Sequence, residues 1–270
     1  MRYSILAGGK RLRPVLVIAG AELCGGKADD VMPTACAMEL IHTYSLIHDD
    51  LPAMDNDDLR RGKPTNHKVF GDDIAILAGD ALLTLAFKLV AENASKKKVD
   101  LRAIVDAVKI ISNASGTMGM VGGQVADIKA DKGRWKRLKG SEFSTPKNLL
   151  EFIHLRKTAA LIRASLVVGG RLAGGSLKQL QALDSYGTCV GLAFQVTDDI
   201  LDRMGDKAKL GKKGSDRDNQ KLTYPALFGL ENSHKIAGAL TKKAHNSLKV
   251  FGNSAQILHD LAAYILNRDH

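Results

Sequence analysis

Apolar residues recur at three- and four-residue steps along most of this chain, and that period predicts helices. Residues 15–23 form one such stretch, opened by Pro14, a residue suited to a first helical turn. The period continues over 35–47, which Pro52 ends, and then over 74–90, 101–121, 149–172 and 177–201. Two further helices are expected over 233–250 and 254–267. These segments outrun an ordinary strand, and no alternating run carries an Asn-Gly or Asp-Gly hairpin. Helix follows helix without intervening strands, so the expected fold class is all-α, with about ten or more helices. Segments 129–147 and 203–222 are basic and glycine-bearing, and read as loops that order on demand. Neither has a linker's composition and no internal repeat is present, so 1–270 is expected to form a single domain.

The composition removes several classes. With 45% hydrophobic and 25% charged residues, the chain is neither disordered nor fibrous. Aromatics at 5%, with Trp135 the only tryptophan, argue against an aromatic-rich sandwich or a base-stacking platform. The net charge of +10 calls for an anionic partner. The basic residues lie scattered over loops and not along one helical face, so nucleic acid is not expected. Cys24, Cys36 and Cys189 are odd in number and widely spaced, as reduced core thiols would be. No apolar run is read as reaching the roughly 18 residues of a membrane span. No signal peptide is read at the start, so an intracellular protein is expected.

Chemistry concentrates in two acidic clusters. Asp49, Asp50 and Asp55 close one apolar helix, with Asp57 and Asp58 directly after. Asp198, Asp199 and Asp202 lie near the end of another; Asp198 and Asp202 share a face, and Gln195 sits one turn earlier on it. Adjacent aspartates repel and form helix poorly, so something must offset them. A hard cation held by carboxylate oxygens does so, and Mg²⁺ prefers one or two carboxylates completed by waters and phosphate oxygens. Solvated helix ends would explain one cluster alone, but two clusters behind strongly apolar faces weaken that account. The spacing excludes a calcium loop of the EF-hand type.

Cations complement the acids. Gly8-Gly9-Lys10-Arg11-Leu12-Arg13-Pro14 sets three of them at a helix entrance, where backbone N–H groups also favour anions. Arg60, Arg61, Lys157 and Lys212 add further charge, and arginine forks suit diphosphate oxygens. Gly211-Lys212 fails as a phosphate loop, because Gly205 is displaced and Lys213 replaces the hydroxyl residue. The glycines from 116 to 123 follow no strand, so close helix packing explains them better than a nucleotide fingerprint.

These motifs together resemble the trans-isoprenyl diphosphate synthases. The resemblance rests on D-D-x-x-x-x-D at Asp49, Asp50 and Asp55, D-D-x-x-D at Asp198, Asp199 and Asp202, and the Gly-Gly-Lys-Arg-Leu-Arg-Pro entrance. Gly122-Gly123-Gln124, Lys157-Thr158, Phe194-Gln195 and Thr223-Tyr224-Pro225 extend it over essentially the whole chain. It is nearest to the short-chain bacterial-type and plastid-type farnesyl and geranylgeranyl synthases. The resemblance implies helices around a central substrate cavity and a homodimer. It also implies condensation of isopentenyl diphosphate with an allylic diphosphate. Only seven residues precede Gly8, so the chain is expected to lack the family's N-terminal helix.

By the same resemblance, Asp49, Asp55 and Asp198 would hold on the order of two or three Mg²⁺ ions per site, with Asp50, Asp199 and Asp202 as direct or water-mediated ligands. Arg60, Lys157 and Lys212 would stabilise charge on the leaving diphosphate, with Thr158 and Gln195 beside the allylic substrate. Lys10, Arg13, His42 and Arg61 would take isopentenyl diphosphate. His42 lies seven residues before Asp49 on the same helical face. Tyr44, five positions before Asp49, would close the tunnel and give a fifteen-carbon farnesyl product, with Ser45, Ala81 and Leu82 shaping its walls. The alternative product is geranylgeranyl diphosphate. A terpene cyclase would not need the second diphosphate pocket, and a non-catalytic subunit would typically lose an aspartate motif. The location implied is cytoplasmic, or plastid if a transit segment was trimmed.

Overall fold

The computed structural model of the protein describes residues 1–131, 145–204 and 222–268. Its helices run in order α1 (Arg2–Ile5), α2 (Leu12–Leu23) and α3 (Ala28–Asp49). A two-strand pair follows, β1 (Leu59–Arg60) antiparallel to β2 (Lys63–Pro64). Next come α4 (Asn66–Phe70), α5 (Asp72–Glu92), α6 (Leu101–Ser115) and α7 (Met120–Asp131). After them lie α8 (Pro146–His154), a π-helical turn (Leu155–Ala159), α9 (Ala160–Leu172) and α10 (Leu177–Met204). The described residues close with α11 (Tyr224–Phe228), α12 (Leu230–Ser247) and α13 (Gln256–Asn267). The fold is all-α, as the apolar period implies.

The expected boundaries shift where local chemistry overrides the period. α3 starts seven residues before its apolar repeat, with Asp29 and Asp30 in a first turn that favours negative charge. The helix expected over 101–121 divides into α6 and α7. A side chain at Gly119 would lie 2.0 Å from the Ala114 carbonyl oxygen, so the chain turns there on glycine. The segment 149–172 is interrupted by the π turn. The short α11 and the strand pair went unforeseen, being too short to show a period. Thr223 caps α11 by accepting the Ala226 N–H at 3.3 Å, with Pro225 in the first turn.

The described backbone falls into two units: Met1–Ile111 with Ser165–Leu180, and Ser112–Ala164 with Gln181–His270. In the first, α3 packs against both α2 and α5. Leu16 and Val17 of α2, Met38 and Ile41 of α3 and Leu82 of α5 are fully buried there. Each such side chain contributes about 1.5–3 kcal/mol by leaving water. Asn93 ties the end of α5 to α3, its amide donating to Thr34 Oγ1 and to the Val90 carbonyl. In the second unit Leu150, Val196, Ile200, Tyr224 and Ala237 form one cluster and Ala126, Leu149 and Ile153 another.

Two expectations need correction. The stretch Asp72–Ser95 contains an 18-residue window of mean hydropathy 2.0, so it is long and apolar enough to cross a membrane by those measures alone. Asp80, Thr84 and Lys88 disguise this in an unbroken-run reading. Its buried stripe, Ala75, Ala78, Leu82, Ala86 and Val90, belongs to the helix that packs on α3. The cysteines are free, but they are not core thiols: Cys36 is exposed, and Cys24 and Cys189 are half-buried.

Candidate active site

In the first unit the end of α3 delivers the first aspartate set. The chain then folds back, and the Asp55 N–H donates to the Asp49 carbonyl at 2.9 Å. That turn returns Asp55 to the level of Asp49 despite five intervening residues. Asp50 is 3% exposed and is taken by Arg60 of β1, whose Nε and Nη2 donate to Oδ1 at 2.8 and 2.5 Å. Nη2 also reaches Asp57 at 3.2 Å. Burial lifts the Asp50 carboxyl above its usual range despite the Arg60 bonds. Burial alone would lower the Arg60 pKa, but Asp50, Asp57 and Asp49 reverse that. Two guanidinium N–H groups on one oxygen identify a charged pair.

Beside it lies a cluster of cations. Arg11 caps α2 in the left-handed region (φ 50°), with Nη1 2.5 Å from Glu39 and Nη2 donating to the Ile5 carbonyl. Arg61, also left-handed at φ 55°, donates to the Gly8 carbonyl. Gly9 has φ 119°, a backbone conformation that favours glycine, and a Cβ there would press on the flexible end of Arg61. Arg13 is lowered to about 10 by burial first, with Arg61 adding and Glu39 opposing. Its Nε is buried with no hydrogen-bond partner among the described residues. His42 is held well below 6.5 by burial and then by Arg13, Arg61, Arg60 and Arg11, so it is neutral at pH 7. Lys10 is exposed at the rim. A shallow cleft adjoins this cluster, lined in part by Thr43, Ile47, Asp50, Arg60, Arg61 and Asn66. A buried donor without a partner among crowded cations suits an anion with several oxygens.

Tyr44 is buried in α3 at 7% exposure, its ring edge-on to His48 at 5.7 Å. His48 Nε2 in turn lies 3.0 Å from the Ile76 carbonyl of α5. Ser45 is half-buried, and its hydroxyl donates to the His42 carbonyl at 2.9 Å.

The second unit holds the other polar line. Lys157 and Thr158 stand in the π turn, a widened turn that frequently marks functional sites. Lys157 Nζ lies 2.5 Å from Asp127 of α7. Thr158 donates to Gln195 Oε1 at 2.9 Å, and Gln195 Nε2 donates to Asp198 Oδ2 at 3.1 Å. The first bond fixes the amide's orientation, and the second aims its N–H at the carboxylate. Asp198 Oδ1 also accepts from Arg268. Asp199 accepts the Tyr224 N–H at 2.9 Å, with His154 Nε2 at 4.0 Å, and Asp202 is exposed. α7 approaches the π turn so closely that a Cβ on Gly123 would stand 2.3 Å from Lys157 N. This accounts for glycine in Gly122-Gly123-Gln124.

The first unit therefore gathers Arg13, His42, Arg60 and Arg61 beside Asp50, and the second gathers Thr158, Gln195 and Asp198, with Lys157 next to Thr158. Lys212 lies outside the described residues. Among the described residues no three His, Cys, Asp or Glu side chains form a metal-sized group. The donors fit Mg²⁺, which needs only one or two carboxylates when phosphate oxygens complete it. Asp49 and Asp55 fit best, since Asp50 is committed to Arg60. Glu39, Asp127 and Arg268 were not foreseen. Glu39, a lone acid in an apolar stretch three residues before His42, carried a signal; Asp127 and Arg268 carried none.

Residues 1–258 match the family model described as polyprenyl synthetase. Over 272 aligned residues the chain is 52% identical to a chloroplastic heterodimeric geranylgeranyl pyrophosphate synthase large subunit of Arabidopsis thaliana. That alignment covers 100% of the chain and 71% of the relative. It is 45% identical to a geranylgeranyl diphosphate synthase of Cyanophora paradoxa, covering 100% and 87%. Among solved structures, an FPP/GFPP synthase of Zymomonas mobilis superposes with TM-score 0.84 at 39% identity, covering 98% and 86%. A geranyltransferase of Legionella pneumophila gives 0.84 at 35%, covering 99% and 85%.

Proposed function

The chain belongs to the polyprenyl synthetase family, and from that premise we propose that it condenses isopentenyl diphosphate with an allylic diphosphate to give geranylgeranyl diphosphate. The observation that carries the reading is the hydrogen-bonded line from Thr158 through Gln195 to Asp198, with Lys157 at its head. Asp49 and Asp55 of the first unit would hold Mg²⁺, as would Asp198 of the second, with Asp50, Asp199 and Asp202 as direct or water-mediated ligands. When bound, the metal supplies positive charge to a leaving diphosphate.

The chain's own groups account for the remainder. Lys157 adds charge where the leaving group departs, and Asp127 keeps its ammonium in place. The oxygens of Thr158 and Gln195 face the developing allylic cation. Arg13 and Arg61, with neutral His42 of α3, receive the isopentenyl diphosphate together with the exposed Lys10. Arg60 acts through Asp50, its observed partner. No side chain stands out as a base, and the departing diphosphate takes the proton lost after condensation.

The twenty-carbon product rests on relatives 45–52% identical that carry the geranylgeranyl name. A fifteen-carbon product is the second reading, favoured by the buried Tyr44 ring five positions before Asp49. A plastid location goes with the first reading, because several of those relatives are chloroplastic. A homodimer is proposed from the family resemblance.

The test is incubation with Mg²⁺, labelled isopentenyl diphosphate and each allylic primer, followed by sizing of the products. Twenty carbons support the main reading, and fifteen carbons the Tyr44 reading. No elongation with any primer refutes both.

A further inference from the structure

The residue after α13 carries a cation onto the second aspartate motif. Arg268 has a side chain only 5% exposed, and its Nη2 donates both to the Phe194 carbonyl at 2.9 Å and to Asp198 Oδ1. Its guanidinium lies over the Phe194 ring, 4.0 Å from the centroid. Its Nε is buried with no hydrogen-bond partner among the described residues. Gln195 takes the opposite oxygen of Asp198, so both oxygens of that carboxylate are engaged from within the protein.

A guanidinium and a hard divalent cation seek the same carboxylate lone pairs, and they repel each other when both crowd one oxygen. We propose that Arg268 stands in for the metal at Asp198. It neutralises the carboxylate in the metal-free protein, and it yields Oδ1 when a metal–diphosphate complex binds. The inference rests on the synthase reading for the identity of that complex. It differs from a packing role, because a packing contact leaves metal affinity unchanged.

Mn²⁺ with inorganic diphosphate is the probe, and free Mn²⁺ is followed by electron paramagnetic resonance on the full chain. Arg268→Met keeps the length and the apolar seat on Phe194 but removes the charge. Its half-saturating Mn²⁺ concentration should fall by about tenfold, the scale on which a charge-assisted contact competes. The metal-free variant should also unfold at a lower temperature, having lost its ion pair. Arg268→Lys keeps the charge but loses the planar fork and the seat on Phe194, so its half-saturating concentration should fall by less than that of Arg268→Met. Phe194→Leu removes only the ring beneath the guanidinium and should lower the concentration by about threefold, giving a second route if Arg268→Met fails to fold. An unchanged or higher concentration in Arg268→Met, or in Phe194→Leu where it is the variant that folds, overturns the proposal and leaves the synthase reading standing. No Mn²⁺ binding by the unaltered chain in the presence of diphosphate overturns both.

Discussion

A single methyl group at residue 123 tests the link between helix packing and the reacting groups. Gly123 sits where α7 meets the π turn that carries Lys157 and Thr158. In Gly123→Ala the added carbon would lie 2.3 Å from Lys157 N, 2.8 Å from its Cα and 2.9 Å from the Arg156 carbonyl carbon. All three are backbone atoms, so no side chain can rotate aside. Ordinary contact begins at 3.4 Å, so the helix and the turn must separate by 3.4 less 2.3, about 1.1 Å. The Lys157–Asp127 bond, now 2.5 Å, joins the same two elements and must readjust. Overpacking of this kind costs about 1–3 kcal/mol of stability. A displacement on the order of 1 Å at positioned groups costs on the order of a hundredfold in turnover. Steady-state turnover and urea unfolding would be measured together, with Gly238→Ala as the control. Gly238 lies inside α12 with nothing within 4 Å of an added methyl, so that change should stabilise by about 0.8–1 kcal/mol. Gly123→Ala turning over within about threefold of the unaltered chain would refute the argument that this crossing sets the position of Lys157.

Other outcomes follow from the same geometry. Tyr44→Met should leave a twenty-carbon product unchanged but lengthen a fifteen-carbon one, as read by product sizing. Loss of the buried ring should cost no more than about 3 kcal/mol in urea unfolding. His42 stays neutral in the folded protein, whereas the unfolded chain takes up a proton near pH 6.5. The folded state therefore binds fewer protons below that pH, and stability falls on acidification, by at most about 2 kcal/mol at pH 5 from this residue. Unfolding at pH 7 and pH 5 should show that loss reduced in His42→Gln; an equal loss in both would sink the assignment. Asp127→Ala removes the partner of Lys157 and should lower turnover by about tenfold with little change in the KM for isopentenyl diphosphate, as resolved by steady-state kinetics.

The sequence by itself determined the fold class, the long helices and the positions of both aspartate sets. These rest on information local to a few turns: a 3.6-residue apolar period, and acids at fixed spacing on one face. It also put Gln195 on the face of Asp198, because residues three apart on a helix are neighbours. Where a boundary depended on a partner far along the chain, the period misled. The break between α6 and α7 turns on Gly119, a local cue that the apolar period passes over, whereas the π turn before α9 belongs to tertiary packing, which an intrinsic preference cannot report. The same holds for the groups that complete the site. Asp127 meets Lys157 across 30 residues, Arg11 meets Glu39 across 28, and Arg268 meets Asp198 across 70. Asp50 reads in sequence as one more carboxylate free for a cation, and only the fold shows Arg60 holding it. A charge pattern along the chain lists which residues could pair. Which of them do is decided by backbone approach and burial, because the strength of a charged contact depends on distance and dielectric, and neither is written in the order of residues.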